Sequence, residues 1–348
     1  MNFFFRSIIQ SEINPWDDKF RQKIMLTHPV YPTYLHDCNT RMKRINAGTS
    51  VVFEGEQFNI LELIGEGGFA KVFRSVSEDG NTYAIKVENP SCRWEVYVCE
   101  LLRTRLPHWV MTGVMSVNDA YIYSNMSAIV YEYHPFGNIL DLANSMKSVR
   151  CSSTGLLCVY LSLQMARILN EVHKAHIIHA DVKPDNFMIL KKLDENSSVE
   201  ELLDEKNFTI KLIDWGRAID MSAAKNRTFT GKAGTEFFDC FEMLDGRPWT
   251  YQVDFFGFIA TMHVILFGSY MKTMRDEATN KRWSQRDVLQ DVFQMCMNIP
   301  DCDSLPDWDT IISGLMESVR YTLTSDIMQW KNCVRDFNQA ISSRVKRR

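Results

Sequence analysis

This sequence of 348 residues lacks long apolar runs and a strong excess of positive or negative charge. Its start is not expected to be a leader segment. The longest apolar run, 255–268, is shorter than the roughly 20 residues that a membrane-spanning helix needs, so we expect a helix buried in a core. The apolar start MNFFFRSII is too short for a signal peptide and contains Arg6. A formal net charge of −4 offers no broad basic surface. The sequence therefore predicts neither a membrane nor a nucleic-acid partner.

Cysteine pairs are also missing. The nine cysteines include no C-x-x-C pair and no Cys/His group at metal-ligand spacing. Such scattered cysteines are typical of reduced thiols in an intracellular protein rather than of a disulfide framework. A hydrophobic content of 45% and a charged content of 24% are ordinary for a globular protein.

The length of the chain suits two lobes, and the character of the sequence changes where they would meet. Residues 1–57 are polar and irregular, and we predict an N-terminal extension that packs on the rest. Several strand-like runs, one of them (82–88) with alternating apolar residues, predict a β-rich N-lobe at 58–136. Apolar residues recur every three or four positions in 156–176, and most of the chain after it also has a helical pattern, which predicts a mainly helical C-lobe at 137–348. The expected fold class is α+β.

Two polar segments carry local predictions. NPWDDKF at 14–20 predicts the start of a helix, with Asn14 as the N-cap and Pro15 in the first turn. The acidic insert KKLDENSSVEELLDEKN at 191–207 predicts a solvated loop, and the alternative is an acidic binding site.

The first motif that carries chemistry is a glycine-rich turn between two predicted strands. It reads GEGGFAKV at 65–72, and glycines there let the backbone close over phosphate groups. Ala70 stands at the third glycine position of G-x-G-x-x-G, and it is small enough for close approach. An ordinary hairpin turn is the alternative.

The second motif is Ala84-Ile85-Lys86 on a predicted strand. Lys86 points away from Ile85, so its ammonium group can face a cleft while Ile85 packs. A point charge two strands after a glycine turn suits a phosphate clamp. Glu95 in the next predicted helix is the expected partner of Lys86, and Glu100 is the alternative.

The third motif is HADVKPDN at 179–186, a polar loop between two apolar segments. Asp181 can orient a hydroxyl group and take its proton, while Lys183 can steady a phosphoryl group. The amide oxygen of Asn186 suits Mg²⁺. We interpret His179 as a packed structural histidine because Asp181 already fills the role of base.

The fourth motif is Ile213-Asp214-Trp215-Gly216 after a predicted strand, with Asp214 as the expected main Mg²⁺ ligand. All four motifs occur in the order found in protein kinases. The chain from 58 onward therefore resembles the eukaryotic protein kinase fold.

A closer likeness lies in the segments NPWDD, RWEVY, IIHADVKPDNFMIL, IDMS, RPWTYQVDFFG, LFGSYM and NIPDC. These resemble the carboxy-terminal kinase domain of the Bub family of mitotic checkpoint kinases, and the Bub and BubR branches both stay open. The likeness covers nearly the whole chain, including the extension.

The resemblance implies ATP and Mg²⁺ as cofactors and a role for each matching residue. Lys86 and Glu95 match the ATP-contacting lysine and its helix partner, and Asp181 with Lys183 match the catalytic pair. Asn186 and Asp214 match the metal ligands. The implied nucleotide-binding residues are Gly65, Glu66, Gly67, Gly68, Phe69, Ala70, Val72, Ala84, Lys86, the hinge Glu132, Tyr133 and His134, Asn186 and Asp214. Asp254 matches an aspartate that braces the catalytic loop.

The chain departs from the usual kinase pattern at Ala180, which replaces the arginine of H-R-D. That arginine normally receives an activation-segment phosphate, so this chain is expected not to depend on such a switch. The extension 1–57 is expected to hold the helix of the N-lobe in its active position instead. Trp215, in place of the phenylalanine of D-F-G, is expected to pack.

Lys183 and Thr235 match the serine/threonine class of kinases. Ser222, Thr228 and Thr230 are possible autophosphorylation sites in the segment 214–242. The alternative from another class is a decayed pseudokinase that serves as a scaffold. A small-molecule kinase of related fold is a third possibility, and it is disfavoured by Thr235 and the full segment after Asp214.

The partners follow from the resemblance alone. They are a protein substrate with serine or threonine, and checkpoint proteins at the kinetochore. Those proteins include the Bub-three propeller, a kinetochore scaffold, a centromere-associated kinesin and the activator of the anaphase-promoting complex, mostly bound by regions outside this chain. The implied location is the nucleus and cytoplasm, with the kinetochore in mitosis.

Overall fold

One sheet organises the amino-terminal part of the chain in the computed structural model, which describes residues 14–68, 70–147, 154–224, 227–232, 235–271 and 286–345. Helix α1 (Asp18–Thr27) comes first. The strands are β1 (Leu35–Asp37), β2 (Ser50–Phe53), β3 (Glu56–Glu66), β4 (Ala70–Ser77), β5 (Thr82–Glu88), β6 (Val117–Ile122) and β7 (Ser127–Glu132). They lie in the order β1-β6-β7-β5-β4-β3-β2. Helix α2 (Trp94–Arg105) connects β5 to β6 and packs beside the sheet.

Alternating burial explains why these segments form strands. In β3, Phe58 and Ile60 are each only 2% exposed, whereas Asn59 and Leu61 face solvent. The buried side chains join Phe53 and Phe73 in a small apolar core under the sheet. Strands β1 and β2 come from the segment predicted as an extension, so that segment contributes to this sheet.

Helices form most of the remaining chain. They are α3 (Ile139–Lys147), α4 (Thr154–Lys174), α5 (Val199–Leu203), α6 (Met221–Ala224), α7 (Phe241–Asp245), α8 (Gln252–Phe267), α9 (Arg286–Met297), α10 (Trp308–Ser325) and α11 (Ile327–Val345). Two small antiparallel ladders line the side that faces the sheet. They pair β8 (Ile177–Ile178) with β11 (Ile219–Asp220), and β9 (Phe187–Ile189) with β10 (Ile210–Leu212).

Helix α8 is the buried helix that the apolar run 255–268 predicts, and this prediction is confirmed. Nearly all of its side chains are buried, including Phe255, Phe256 and Phe258. It lies so close to the loop after β8 that a Cβ on Gly257 would be 2.3 Å from the carbonyl oxygen of Val182. Among the described helices, none combines the length and apolarity needed to cross a membrane.

Two local predictions are wrong. Helix α1 begins at Asp18 with Asp17 as its N-cap, because Asp17 accepts the Phe20 N–H at 3.0 Å. Asn14 instead forms a turn in which its side chain accepts the Trp16 N–H. The acidic insert is not wholly a solvated loop, since it contains α5.

Helix α5 starts with a reciprocal capping box between Ser198 and Glu201. Its residues Leu202 and Leu203 are 2% and 8% exposed. The insert is therefore anchored by apolar burial on the helical lobe.

Candidate active site

Lys86 lies at the centre of the cleft between the sheet and the helices. Its Nζ donates to Glu95 Oε2 at 2.5 Å and to Asp214 Oδ1 at 2.8 Å. The other carboxylate oxygen of Glu95 accepts the Tyr131 hydroxyl at 2.8 Å. Glu100, the alternative partner, instead pairs with Arg103 on the same helix. One ammonium group thus connects β5, α2 and the loop after β10.

Burial and the neighbouring charges shift the pKa values of Lys86, Asp214 and Glu88. Burial alone would lower the pKa of Lys86, but the carboxylates of Glu95, Asp214 and Glu88 raise it well above its usual value. Burial tends to raise the pKa of Asp214, yet the Lys86 ammonium outweighs it and holds that pKa at about 2. Glu88 lies 3.5 Å from Lys86, and burial together with the charge of Glu95 raises the pKa of Glu88 to about 7. Lys86 is charged and Asp214 is ionised at neutral pH.

The backbone around Asp214 has an unusual conformation. Asp214 has a left-handed backbone, with a φ of 65°, which turns its carboxylate toward Lys86. A Cβ on Gly216 would lie 3.4 Å from Asp214 Oδ1 and 3.7 Å from Lys86 Nζ. A Cβ there would make ordinary van der Waals contacts with the ion pair, so Gly216 lies directly beside it.

The loop between β8 and β9 forms a second network. Asp181 Oδ2 accepts from Lys183 Nζ at 2.7 Å and from Asn186 Nδ2 at 3.1 Å. Asp181 Oδ1 accepts the Thr235 hydroxyl at 2.9 Å. Because the Asn186 amide nitrogen is used here, its amide oxygen is the atom left for a metal ion. Asp181 and Thr235, which are 54 positions apart in the sequence, are therefore in direct contact.

Asp254, at the start of α8, fixes the backbone of that loop. It is completely buried and accepts the N–H groups of His179 at 2.7 Å and Ala180 at 2.8 Å. It also contacts His173 Nε2 at 3.0 Å. His179 is packed edge-on against Trp215, with ring centroids 4.6 Å apart, and both side chains are buried.

The glycine-rich hairpin lies above the cleft. Gly65 and Glu66 end β3, and the Gly67 N–H donates to the Ala70 carbonyl at 2.8 Å. Val72 lies directly opposite Lys86 in the ladder, so both side chains are on one face of the sheet. Ala84 shares that face because it is two residues from Lys86. Phe69 lies outside the described residues.

The predicted hinge begins at Glu132, the last residue of β7. Lys211 Nζ donates to Glu132 Oε2 at 3.2 Å, and the guanidinium of Arg74 lies 5.8 Å from the ring centroid of Tyr133. His134 is 7% exposed, and burial with the nearby charge of Lys211 lowers its pKa to about 4. His134 is therefore neutral at physiological pH.

Sequence reasoning missed the contacts that the extension makes with the site. Trp16 Nε1 donates to the Arg217 carbonyl at 2.9 Å, and Arg21 Nη2 donates to the Gly216 carbonyl at 2.9 Å. The guanidinium of Arg21 also lies 5.0 Å from the ring centroid of Trp94, the first residue of α2. The tryptophans in NPWDD and RWEVY were the only local signal of these contacts.

The side chains of Asp214, Asn186 and Lys86 could together bind a metal ion and the phosphate groups attached to it. Asp214 and Asn186 supply hard oxygen atoms on one side, and Lys86 supplies a positive charge. Within the described ranges, no group of three His, Cys, Asp or Glu side chains could hold a metal ion alone. Phosphate oxygens from a substrate would complete the coordination.

Comparison with known proteins gives consistent results. Residues 58–337 match the protein kinase domain family. The chain is 44% identical over 347 residues to the mitotic checkpoint serine/threonine-protein kinase bub-1 of Caenorhabditis elegans, covering 96% of this chain and 34% of the relative. It is 31% identical to the mitotic checkpoint serine/threonine-protein kinase BUB1 of Mus musculus, covering 92% of this chain and 31% of the relative. The chain thus spans about a third of the length of these curated relatives.

The structure is similar to the crystal structure of the BubR1 kinase domain. The TM-score is 0.83 and the sequence identity is 27%, over 94% of this chain and 100% of that one.

Proposed function

The chain belongs to the Bub1 and BubR1 family of protein kinases, and we propose that it is an active serine/threonine protein kinase. The predicted family resemblance and two-lobed fold are confirmed. The observation that carries the proposal is the pair of side-chain networks around Lys86 and around Asp181. Together they place a cation, two oxygen ligands and a carboxylate around one cleft.

The side chains present fit Mg²⁺ and ATP. Asp214 and Asn186 would hold the metal ion, and Lys86 would hold phosphate oxygens, while the hairpin 65–72 would cover them. When bound, Mg²⁺ and ATP supply the phosphoryl group and neutralise the charge that develops as it is transferred. The low pKa of Asp214 favours this role because the carboxylate stays ionised without a metal ion.

The residues of the chain act mainly by positioning. Asp181 orients the substrate hydroxyl and accepts its proton. Lys183, 2.7 Å from Asp181, neutralises charge beside the reacting oxygen. Glu95 keeps the Lys86 ammonium in the cleft, and the closed site limits the geometries that the reacting groups can adopt.

We assign the preference for serine and threonine to Lys183 and Thr235. Both side chains bind Asp181 directly, so they shape the place where the substrate hydroxyl is received. We propose that the hydroxyl of a serine or threonine substrate is received at this carboxylate.

We also propose that the extension keeps α2 in place. Its residues Trp16 and Arg21 hold the carbonyl groups after Asp214, and Arg21 stacks on Trp94 at the start of α2. Glu95 is the next residue after Trp94, so these contacts restrain the partner of Lys86. Loss of 1–57 should lower activity, and full activity without these residues would contradict the idea.

The names of the relatives support a role in the mitotic checkpoint. We propose that this kinase acts there on checkpoint proteins, in the nucleus and cytoplasm and at the kinetochore in mitosis. Partner-binding regions are expected mainly outside this chain.

The test is transfer of labelled phosphate from ATP in the presence of Mg²⁺, with and without a basic protein substrate. Asp181→Asn and Asp214→Asn should each abolish transfer to serine or threonine. Asp245→Asn is the matched control, because Asp245 is exposed on α7 and should leave transfer unchanged.

Absence of transfer from a folded chain that still binds ATP would favour either a scaffolding pseudokinase or a missing activator. Transfer that appears when checkpoint proteins are added would indicate a missing activator, and continued absence would refute the active kinase.

A further inference from the structure

One ion pair ties the end of α2 to the helical lobe. Arg105, the last residue of α2, donates from Nη1 to Asp220 Oδ1 at 2.8 Å and from Nη2 to Asp220 Oδ2 at 3.1 Å. Its Nη1 also donates to the Ala175 carbonyl at 3.2 Å, just after α4. Tyr97, also on α2, donates to Asp220 Oδ2 at 3.5 Å. Three elements therefore meet at one guanidinium.

Arg105 is the cation that pairs with Asp220. The Asp220 side chain is only 1% exposed, and a carboxylate so deeply buried is costly without a paired cation. The bidentate geometry of Arg105 is the strongest form of such a pair. Burial and the Asp220 carboxylate raise the pKa of Tyr97 well above its usual value, so its phenol remains a neutral donor.

Ser222 is a surface hydroxyl beside the same guanidinium. Its Oγ accepts from Arg105 Nη1 at 3.1 Å, and the residue is exposed in α6. Its backbone N–H donates to Asp220 Oδ1 at 3.1 Å. Any group added to this hydroxyl would therefore lie beside both Arg105 and Asp220.

We propose that Ser222 is a phosphorylation site whose phosphate competes with Asp220 for Arg105 and lowers the kinase activity of the chain. A second copy of this chain is the acting enzyme, so the inference rests on the proposed function. Ser222 Oγ bonds to the γ-phosphorus of ATP while the bond from that phosphorus to the β–γ bridging oxygen breaks. ADP leaves, and the hydroxyl proton passes to Asp181 of the acting copy.

Charge determines the direction of the effect. Phosphoserine carries about −1.5 to −2 charges at pH 7, whereas Arg105 supplies a single positive charge. The hydrogen bond from the Ser222 backbone N–H to Asp220 Oδ1 keeps the new phosphate next to the buried carboxylate, so the two anions repel each other. Asp220 then loses its partner and the last turn of α2 loosens.

The effect reaches the active site along α2. Glu95 lies at the other end of this twelve-residue helix and pairs with Lys86. A helix that is less firmly held at Arg105 spends less time with that pair closed. Activity therefore falls although Ser222 touches no substrate.

The experiment introduces phosphoserine at position 222 of the full chain by genetic encoding. Compared with the unmodified chain, kcat/KM should fall roughly tenfold, a change of about 1.4 kcal/mol in the barrier. Amide hydrogen exchange in 102–105 should become faster. Ser222→Ala should change neither measurement, and Ser222→Glu should reproduce part of both effects.

Two matched variants separate this mechanism from a general effect of charge. Thr228→Glu adds a carboxylate at another exposed position of the same segment and should leave activity and exchange unchanged. In an Asp220→Asn background the added anion no longer meets a carboxylate, so Ser222→Glu should cause no further loss.

Mass spectrometry tests the modification itself. An Asp181→Asn copy incubated with the unaltered chain, Mg²⁺ and ATP should acquire phosphate at Ser222. Absence of that phosphate, or activity and exchange of the phosphoserine chain equal to those of the unmodified chain, would overturn the proposal. If the unaltered chain phosphorylates nothing, the proposed function fails. Hydrogen exchange of the phosphoserine chain then still decides whether an anion at Ser222 loosens α2.

Discussion

Asp254→Asn tests how much the buried brace under the catalytic loop contributes. The carboxylate receives three donors at 2.7–3.0 Å, from the backbone of His179 and Ala180 and from the ring of His173. Trp308 Nε1 donates to His173 Nδ1 at 2.9 Å, so His173 Nε2 carries the proton that points at Asp254. The asparagine side chain has only one acceptor oxygen. Even if that oxygen accepts two of the three donors, the NH₂ group faces the third donor and cannot accept from it.

The expected loss in stability follows from the hydrogen bond that the amide cannot accept. A lost hydrogen bond to a charged acceptor costs about 1.5–3 kcal/mol, and a buried donor left without a partner costs about 1–3 kcal/mol. Relief of the carboxylate's desolvation offsets part of this, so we expect a loss of about 3 kcal/mol. For a chain of this length that loss lowers Tm by about 4 °C. Because Asp181 follows Ala180 directly, kcat should also fall, by roughly tenfold.

Urea unfolding and phosphate transfer measure the two effects. Asp245→Asn is the control, since Asp245 is 53% exposed and its replacement should change stability by less than about 0.5 kcal/mol. A stability loss below about 1 kcal/mol for Asp254→Asn, with unchanged kcat, would refute the reasoning.

Three further predictions have measurable outcomes. Arg21→Ala should lower kcat roughly tenfold, whereas Lys19→Ala, on the exposed side of the same helix, should not, and phosphate transfer compares them. Gly257→Ala should cost at least about 3 kcal/mol in urea unfolding because its Cβ would meet a backbone oxygen at 2.3 Å. Gly314→Ala in α10, where the nearest atom is 3.6 Å away, should instead stabilise the chain by up to about 1 kcal/mol. The pKa of Glu88, raised from 4.5 to about 7, means that the folded chain keeps a proton which the unfolded chain releases in that range. Stability should therefore fall as the pH rises from about 4.5 to about 7 and then level off, with a total loss of about 3 kcal/mol, and unfolding of Glu88→Gln at several pH values should lack this loss.

Local patterns explain why much of the candidate site could be predicted. Lys86, Asp181, Asn186 and Asp214 each lie in a short motif whose strand or loop context is visible within a few residues. The structure brings all four into one cleft, although their catalytic roles stay predictions. Glu95 and its alternative Glu100 were both visible as candidates in the helix that follows the strand of Lys86, and the structure pairs Lys86 with Glu95.

The insert shows a local signal that was overlooked. Ser198 and Glu201 form a capping box whose spacing is present in the sequence, followed by the apolar pair 202–203. The surrounding acidic residues suggested a solvated loop instead. Composition averaged over a segment hid the few residues that anchor it.

Other contacts join residues that are far apart in the sequence, so no local pattern predicts them. Trp16 meets Arg217 across 201 residues, and Arg105 meets Asp220 across 115 residues. An arginine or tryptophan in a polar segment gives no sign of which backbone carbonyl or carboxylate it will reach. These partners are decided by how the lobes pack, after each element has formed.

These long-range contacts explain how α2 is positioned although Ala180 replaces the usual phosphate-binding arginine. Arg21 and the Trp94 indole, which donates to the Ala218 carbonyl at 2.8 Å, hold the start of the helix, and Arg105 with Asp220 holds its end. Both ends are thus fixed against the segment that follows Asp214 by groups that need no modification. Among the described residues of this segment, Asp220 already occupies the Arg105 guanidinium, so a phosphate placed beside Arg105 would have to compete with that carboxylate.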